Sequence, residues 1–174
     1  MKRTMSNIPY STGCFPLHLA LLSCGENFHP LGYWTVVGKE PFRFLISVGL
    51  GNYTLKLLRE HNEAALHFFP WSAREWVVRA GYISGRDGSK AQRLKVNLIE
   101  AKKLNTTRLV DGYENAYECQ VLTELKGISV DHAQFVLDVV AAHEKVPAEK
   151  RDPILFFTQK NFTNLRGEHW TFKR

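Results

Sequence analysis

The chain has 174 residues, 44% of them apolar and 23% charged, with a net charge of +6, the profile of one globular domain with a substantial core. Its basic residues are scattered among acids, as in LKLLREHNE and AHEKVPAEKRD, so no basic stripe points to nucleic acid. No run of about 18 apolar residues is present to span a membrane, and Cys14, Cys24 and Cys119, without C-x-x-C or H-E-x-x-H, argue against a zinc site and for reduced thiols in a cytoplasmic compartment.

Residues 1–16 are polar and carry Pro9, Gly13 and Pro16. They read as a lead-in arm to a single domain covering 1–174. MKR followed by PLHLALLSCG has the outline of a signal peptide, but its uninterrupted apolar stretch, 19–22, is too short for an apolar core of about 7–15 residues. LHLALLSC, 17–24, reads instead as a buried first strand. Strands over 33–38 and 42–49 follow, with Gly25, Glu26 and Asn27, then Lys39, Glu40 and Pro41, as turns.

The third strand runs into SVGLGNYTLKLL, 47–58, an apolar run, a glycine turn and a helical pattern. A dinucleotide fingerprint fails here on two counts. Thr54 stands where the third glycine belongs, and the next apolar run, ALHFFPW, has no acid to hold a ribose. Two readings remain: a structural turn capped by Asn52, or a phosphate cradle built on the free N–H groups of a helix N-terminus. The helix spans Tyr53 to about His61, with Leu55, Leu58 and Asn62 on one face.

ALHFF, 65–69, is a strand. SARE has the form of a capping box, with Ser72 as cap and Glu75 reaching back, so a short helix over 72–80 is expected to bury Trp76, Val77 and Ala80. SGRDGSKAQRLK, 84–95, is polar and turn-rich, and NLIEAKKL is a short irregular element. Residues 116–144 form two long alternating runs about Gly127. Tyr117, Cys119, Val121 and Thr123 share one face, and Phe135, Leu137, Val139 and Ala141 another, which describes a long antiparallel hairpin. ILFFTQKNF, 154–162, adds a last strand. The set is mainly β with helices inserted after the third strand, an antiparallel barrel of α+β class rather than a doubly wound sheet.

Hydrolytic chemistry finds little support. There is no G-x-S-x-G elbow, and the adjacent Asp131 and His132 are expected to point to opposite faces of a strand, wrong for an Asp–His relay. No histidine pair has metal-ligand spacing. His132, at the start of a long strand, is the histidine to watch. The turn at 47–54 and the polar loop with Arg86, Asp87, Ser89 and Lys90 instead suit chemistry carried by a cofactor, for which the protein supplies anchors.

In order, YWTVVGKEPFRFLISVGLGNYTLKLL, HNEAALHFF, YISGRDGSK and DHAQFVLDVVAAH resemble the flavin reductase-like family of FMN-binding split barrels, which includes the flavoredoxins. The resemblance covers roughly residues 8–160. It implies a homodimer with FMN in a groove near the subunit interface. The flavin ring would lie on backbone amides at Trp34 and Thr35. Ribityl and phosphate contacts would come from Ser47, Gly49, Gly51, Asn52, Tyr53 and Thr54, with Lys90 and Arg86 neutralising the phosphate. His132 would contact a nicotinamide.

The implied activity is that of an NAD(P)H-dependent flavin reductase, or of a flavoredoxin-like carrier served by a protein electron donor. The chain departs from its relatives at Pro30 and Leu31, where many have N-x-M-T, and at Gly49 and Leu50, where many have a basic residue. Those departures motivate an alternative, a non-catalytic barrel holding another small anion or a tetrapyrrole. A pyridoxine-phosphate oxidase relative would need more arginines converging on a phosphate.

Overall fold

The computed structural model describes residues 14–173; most of the expected arm, 1–16, lies outside them. The strands are β1 (Leu17–His18), β2 (Ala20–Cys24), β3 (Asn27–Leu31), β4 (Trp34–Lys39), β5 (Phe42–Gly49), β6 (Glu63–Phe68), β7 (Leu98–Ile99), β8 (Leu109–Val110), β9 (Asn115–Leu125), β10 (His132–Glu144), β11 (Leu155–Phe156), β12 (Asn161–Thr163) and β13 (His169–Thr171). The helices are α1 (Tyr53–His61), α2 (Arg74–Arg79) and α3 (Lys90–Leu94).

Seven strands form one antiparallel sheet in the order β3-β2-β6-β9-β10-β5-β4. Its two edges, β3 and β4, are consecutive in the chain and joined only by Gly32 and Tyr33. Two residues cannot cross a flat seven-stranded sheet, whose strands lie about 4.8 Å apart. The sheet therefore curls until its edges meet, yet β3 and β4 form no ladder. This is a split barrel. The alternating faces of β9 and β10 pair as the long hairpin, and β10 pairs on its other side with β5, His132 opposite Gly49.

The inside of the curl is filled by Leu22, Phe44, Ile46, Leu66, Phe135 and Leu137, with α1 closing one end through Leu55 and Leu58. Each such leucine contributes about 1.5–3 kcal/mol by leaving water. Trp34 of β4 meets Phe68 of β6 at 4.9 Å between ring centres, which ties one edge of the sheet across the interior. A second core outside the curl joins Phe28, Phe69, Val77 and Val78 to Ile154, Phe156 and Phe162. Phe156 and Phe162 belong to a four-stranded sheet, β1-β11-β12-β13, and Ile154 immediately precedes its strand β11.

Several elements differ from the sequence expectation. The stretch 17–24 breaks at Leu19, whose N–H leaves the ladder for Ile154 O at 2.9 Å. β1 therefore joins the C-terminal sheet while β2 joins the barrel. β3 occupies a stretch whose Asn27 and Pro30 read as turn chemistry, and it is held by pairing along all of β2. The capping box at Ser72 does not form: α2 is entered through a 3₁₀ turn at Trp71–Ala73 and has no side-chain cap. Inside the polar loop, Ser89 Oγ accepts from Gln92 N at 3.3 Å and starts α3. Residues 154–162 make two strands, with Leu155 opposite Thr163. The irregular element at 97–104 contributes only β7, paired with β8.

Candidate functional site

A groove of about 630 Å³ opens where the barrel edge, the α1 turn and the C-terminal sheet meet, within the range of small-molecule sites. Its walls come from 29–33 at the split edge, 47–53 at the end of β5, the 78–90 segment, His132, and residues between Phe156 and Phe162. Elements far apart in the chain converge on it because the curl brings β3 and β5 to the same side of α1.

The turn before α1 is built locally. Asn52 caps the helix, its Oδ1 accepting from Thr54 N at 3.1 Å. Its own N–H goes to Gly49 O, and Leu55 N returns to Asn52 O. The N–H groups of Gly51 and Tyr53 have no partner among the described residues, so the turn presents donors at the positive end of a nine-residue helix. Neither Gly49 nor Gly51 has a positive φ, and a Cβ at Gly51 would meet nothing. Their contribution is bare backbone rather than an unusual conformation.

The loop across the groove is fixed by similar means. Ser84 Oγ accepts from Arg86 N at 3.1 Å, and the Arg86 guanidinium lies 5.2 Å from the centre of the Tyr53 ring. Gly85 sits so close to Asn27 that a Cβ would collide with its side-chain oxygen, so only glycine allows this approach. Lys90 is buried, its ammonium donating to Phe28 O at 2.7 Å and Ala80 O at 2.9 Å. Burial, and then the charge of Arg93, bring its pKa down to about 8.

Of the residues expected at the site, Ser47, Gly49, Gly51, Asn52, Tyr53, Arg86, Lys90 and His132 all line this groove. Trp34, Thr35 and Thr54 do not. The Trp34 indole N–H donates to His18 O at 2.8 Å on the barrel interior, and Tyr33 lines the groove in its place. Thr35 is exposed on the edge strand. Thr54 is fully buried and its hydroxyl accepts from Asn27 Nδ2 at 2.7 Å. Ser47 Oγ is likewise engaged, accepting from Gln134 Nε2 at 3.0 Å.

Asp131 and His132 correct the sequence reading. Asp131 precedes the first residue of β10, so strand alternation does not govern it, and its Oδ1 lies 2.9 Å from His132 Nδ1. Hydrogen bonds from His132 and from Ser129 hold the Asp131 carboxyl below the usual carboxylate range. The pair fixes the imidazole with Nδ1–H on Asp131 and the opposite ring edge toward Gly49, with Tyr33 packed edge-on at 5.6 Å.

Sequence reasoning missed His29, Tyr33 and the wall from Phe156, Thr158 and Gln159. The wall is held over the groove by Tyr82 Oη, which donates to Gln159 O at 2.8 Å. No local signal marks it, because its position depends on a contact across 77 residues. Among the described residues no helix is long and apolar enough to cross a membrane, and no group of three or more His, Cys, Asp or Glu is placed to hold a metal ion.

Comparison with known proteins gives this geometry a family. The flavin reductase-like domain model matches residues 12–166. The chain belongs to that family. Among solved structures, an FMN-binding protein from Thermus thermophilus with bound p-hydroxybenzaldehyde is 22% identical with a TM-score of 0.81, over 100% of this chain and 99% of that one. A flavoredoxin from Methanosarcina acetivorans is 20% identical with a TM-score of 0.78, over 99% and 93%. At these identities the likeness concerns the flavin reductase-like fold. A curated protein of Archaeoglobus fulgidus is 27% identical over 95 residues, 55% of this chain, and the match spans about half, 52%, of that relative's length.

The groove suits the flavin-related function that this family carries. It offers unpartnered N–H donors at a helix end, a buried ammonium, aromatic side chains on two walls, and one orphaned buried polar atom, His29 Nδ1.

Proposed function

We propose that this chain binds FMN in the groove and acts as an NAD(P)H-dependent flavin reductase. The observation that carries the reading is the convergence of the Gly51 and Tyr53 N–H donors, the 84–90 loop and the Asp131-oriented His132 on one groove of about 630 Å³. The N–H groups of Gly51 and Tyr53 receive the phosphate, and the Arg86 guanidinium on the Tyr53 ring supplies positive charge at its mouth. Tyr33 and Phe156 give the ring system flat apolar walls and keep water from it. FMN held by these residues would supply two-electron chemistry between a nicotinamide and an acceptor. His132, turned by Asp131, positions the second ring. Support for a second planar ring comes from the Thermus FMN-binding protein, whose structure holds p-hydroxybenzaldehyde.

The proposal includes a homodimer. Among the described residues β4 is paired on one side only, and it exposes Val36 and Val37, an edge that a second copy would cover. It also places the protein in the cytoplasm.

The test is the visible spectrum of the purified protein, followed by rapid mixing with NADH or NADPH. The absorption of oxidised flavin, bleached on mixing, is expected. A flavin that neither nucleotide bleaches would make the protein an electron carrier served by a protein donor. A colourless protein that takes up neither FMN nor FAD would leave the non-catalytic binding module as the better reading.

A further inference from the structure

The outer wall of the groove is anchored unevenly. At its root the Phe156 ring stands on the bare backbone of Gly32, where an added Cβ would collide with it. Phe162, the other root, packs on Trp170 at 5.5 Å between ring centres. Both phenylalanines are buried in the outer core. The tip between them is different: residues 157–161 are half-buried or exposed. Its turn closes on itself, with Phe157 N and Thr158 N donating to Asn161 O, and Lys160 N and Asn161 N donating to Thr158 Oγ1. Yet Thr158 and Gln159 line the groove. A segment with so little core of its own opens at low cost unless something outside it holds it.

Two elements hold it, both from elsewhere in the chain. β13 pairs with β12, Thr171 opposite Asn161, and just past it Phe172 N donates to Lys160 O at 2.8 Å. Tyr82 has its own N–H fixed on Arg79 O at the end of α2. Its ring stacks on Phe172 at 4.8 Å between centres and 19° between planes, and its hydroxyl donates to Gln159 O at 2.8 Å. One side chain thus grips both the tip and the segment that braces it. That brace lies beyond residue 166, where the family match ends.

We propose that the 157–161 tip is a gate on the groove, with Tyr82 as its latch and β13 with Phe172 as the brace against which the latch closes. Entry and exit of the ligand are then paced by opening of the tip. The inference rests on the flavin reading for the identity of that ligand, and on the wall's own contacts for the gate. The latch joins two protein groups, so it is made in the filled and the empty groove alike. Weakening it raises the open fraction of both, which speeds binding and release together. A side chain that merely touched the ligand would alter release and leave the binding rate as it was.

The test is Tyr82→Phe, which keeps a ring on Phe172 and deletes only the hydroxyl. Stopped-flow mixing of the flavin-stripped protein with FMN gives the binding rate, and dilution of the complex gives the release rate from the return of flavin fluorescence. Both are expected to rise about fivefold, the worth of one hydrogen bond, with Kd within about twofold of wild type. Phe172→Leu, which removes the stack, should also raise the two rates in equal proportion; should it not fold, Tyr82→Phe decides alone. A rise in release alone makes Tyr82 a ligand contact and overturns the gate, and so do two rates that stay at their wild-type values. If wild type binds no FMN, the flavin reading falls and amide hydrogen exchange decides the gate. Without ligand, the Phe157 N–H should then exchange about fivefold faster in Tyr82→Phe, and equal exchange overturns the gate.

Discussion

On the flank formed by β6 and β9, Glu63 accepts from Asn105 N, Thr106 N, Thr107 N and the Thr106 hydroxyl. Beside it, Glu118 accepts from Lys102 N, Lys103 N and His143 Nε2. His67 contacts Leu21 O through Nδ1 and accepts from Val110 N through Nε2. These buried polar side chains use their capacity to fasten the 100–110 segment against the sheet. Under the groove, burial is as deep but, among the described residues, the polar groups are incomplete: His29 Nδ1 has no partner and Lys90 has a donor to spare. The same physics of desolvation yields a structural joint where the groups are saturated and a binding surface where they are not.

The largest effect is expected on the saturated side. Glu63→Ala leaves the N–H groups of Asn105, Thr106 and Thr107 without their carboxylate. It should lower the unfolding free energy by about 3 kcal/mol in urea titrations, with FMN affinity little changed. A loss of less than about 1 kcal/mol would break the contrast.

The same joint sets an acid limit. Burial alone would raise the Glu63 and Glu118 pKa values. The N–H donors outweigh it, with His143 adding to the effect at Glu118, and hold both below the usual carboxylate range. Their stabilisation is then fully present above the unfolded value of about 4.3 and lost as pH falls through it into the depressed folded range. Urea midpoints should drop between about pH 5 and pH 3, and Glu63→Gln should flatten that drop.

Next comes Lys90→Met, which orphans two backbone carbonyls and removes the charge facing the groove. A stability loss of about 2 kcal/mol is expected, together with weaker flavin binding, measured by fluorescence quenching. The pairing of both effects separates Lys90 from Glu63.

The smallest change sharpens the picture at the turn. Asn52→Asp retains a capping oxygen, so stability should stay within about 0.5 kcal/mol. The added negative charge should weaken FMN about tenfold and riboflavin hardly at all.

How much of this was legible beforehand follows from the range of the forces involved. The β9–β10 hairpin was readable because a period of two repeats over long runs. The turn at 47–54 was readable because its cap is local. β3 was not, since Asn27 and Pro30 carry turn preferences that pairing with β2 overrides. The C-terminal sheet was hidden because its strands have two or three residues, too few to show a period. The side-chain exchange at the split edge was not readable: the curl turns the Trp34 ring inward onto Phe68 and brings Tyr33 to the groove. Asp131 is not governed by strand alternation because it lies one residue outside the strand that obeys it.

The central claim is that the β5–α1 turn receives a phosphate. Titration of the flavin-stripped protein with FMN and with riboflavin, side by side, tests it most directly. The account predicts FMN binding at least about tenfold tighter. Equal affinity for the two would contradict it.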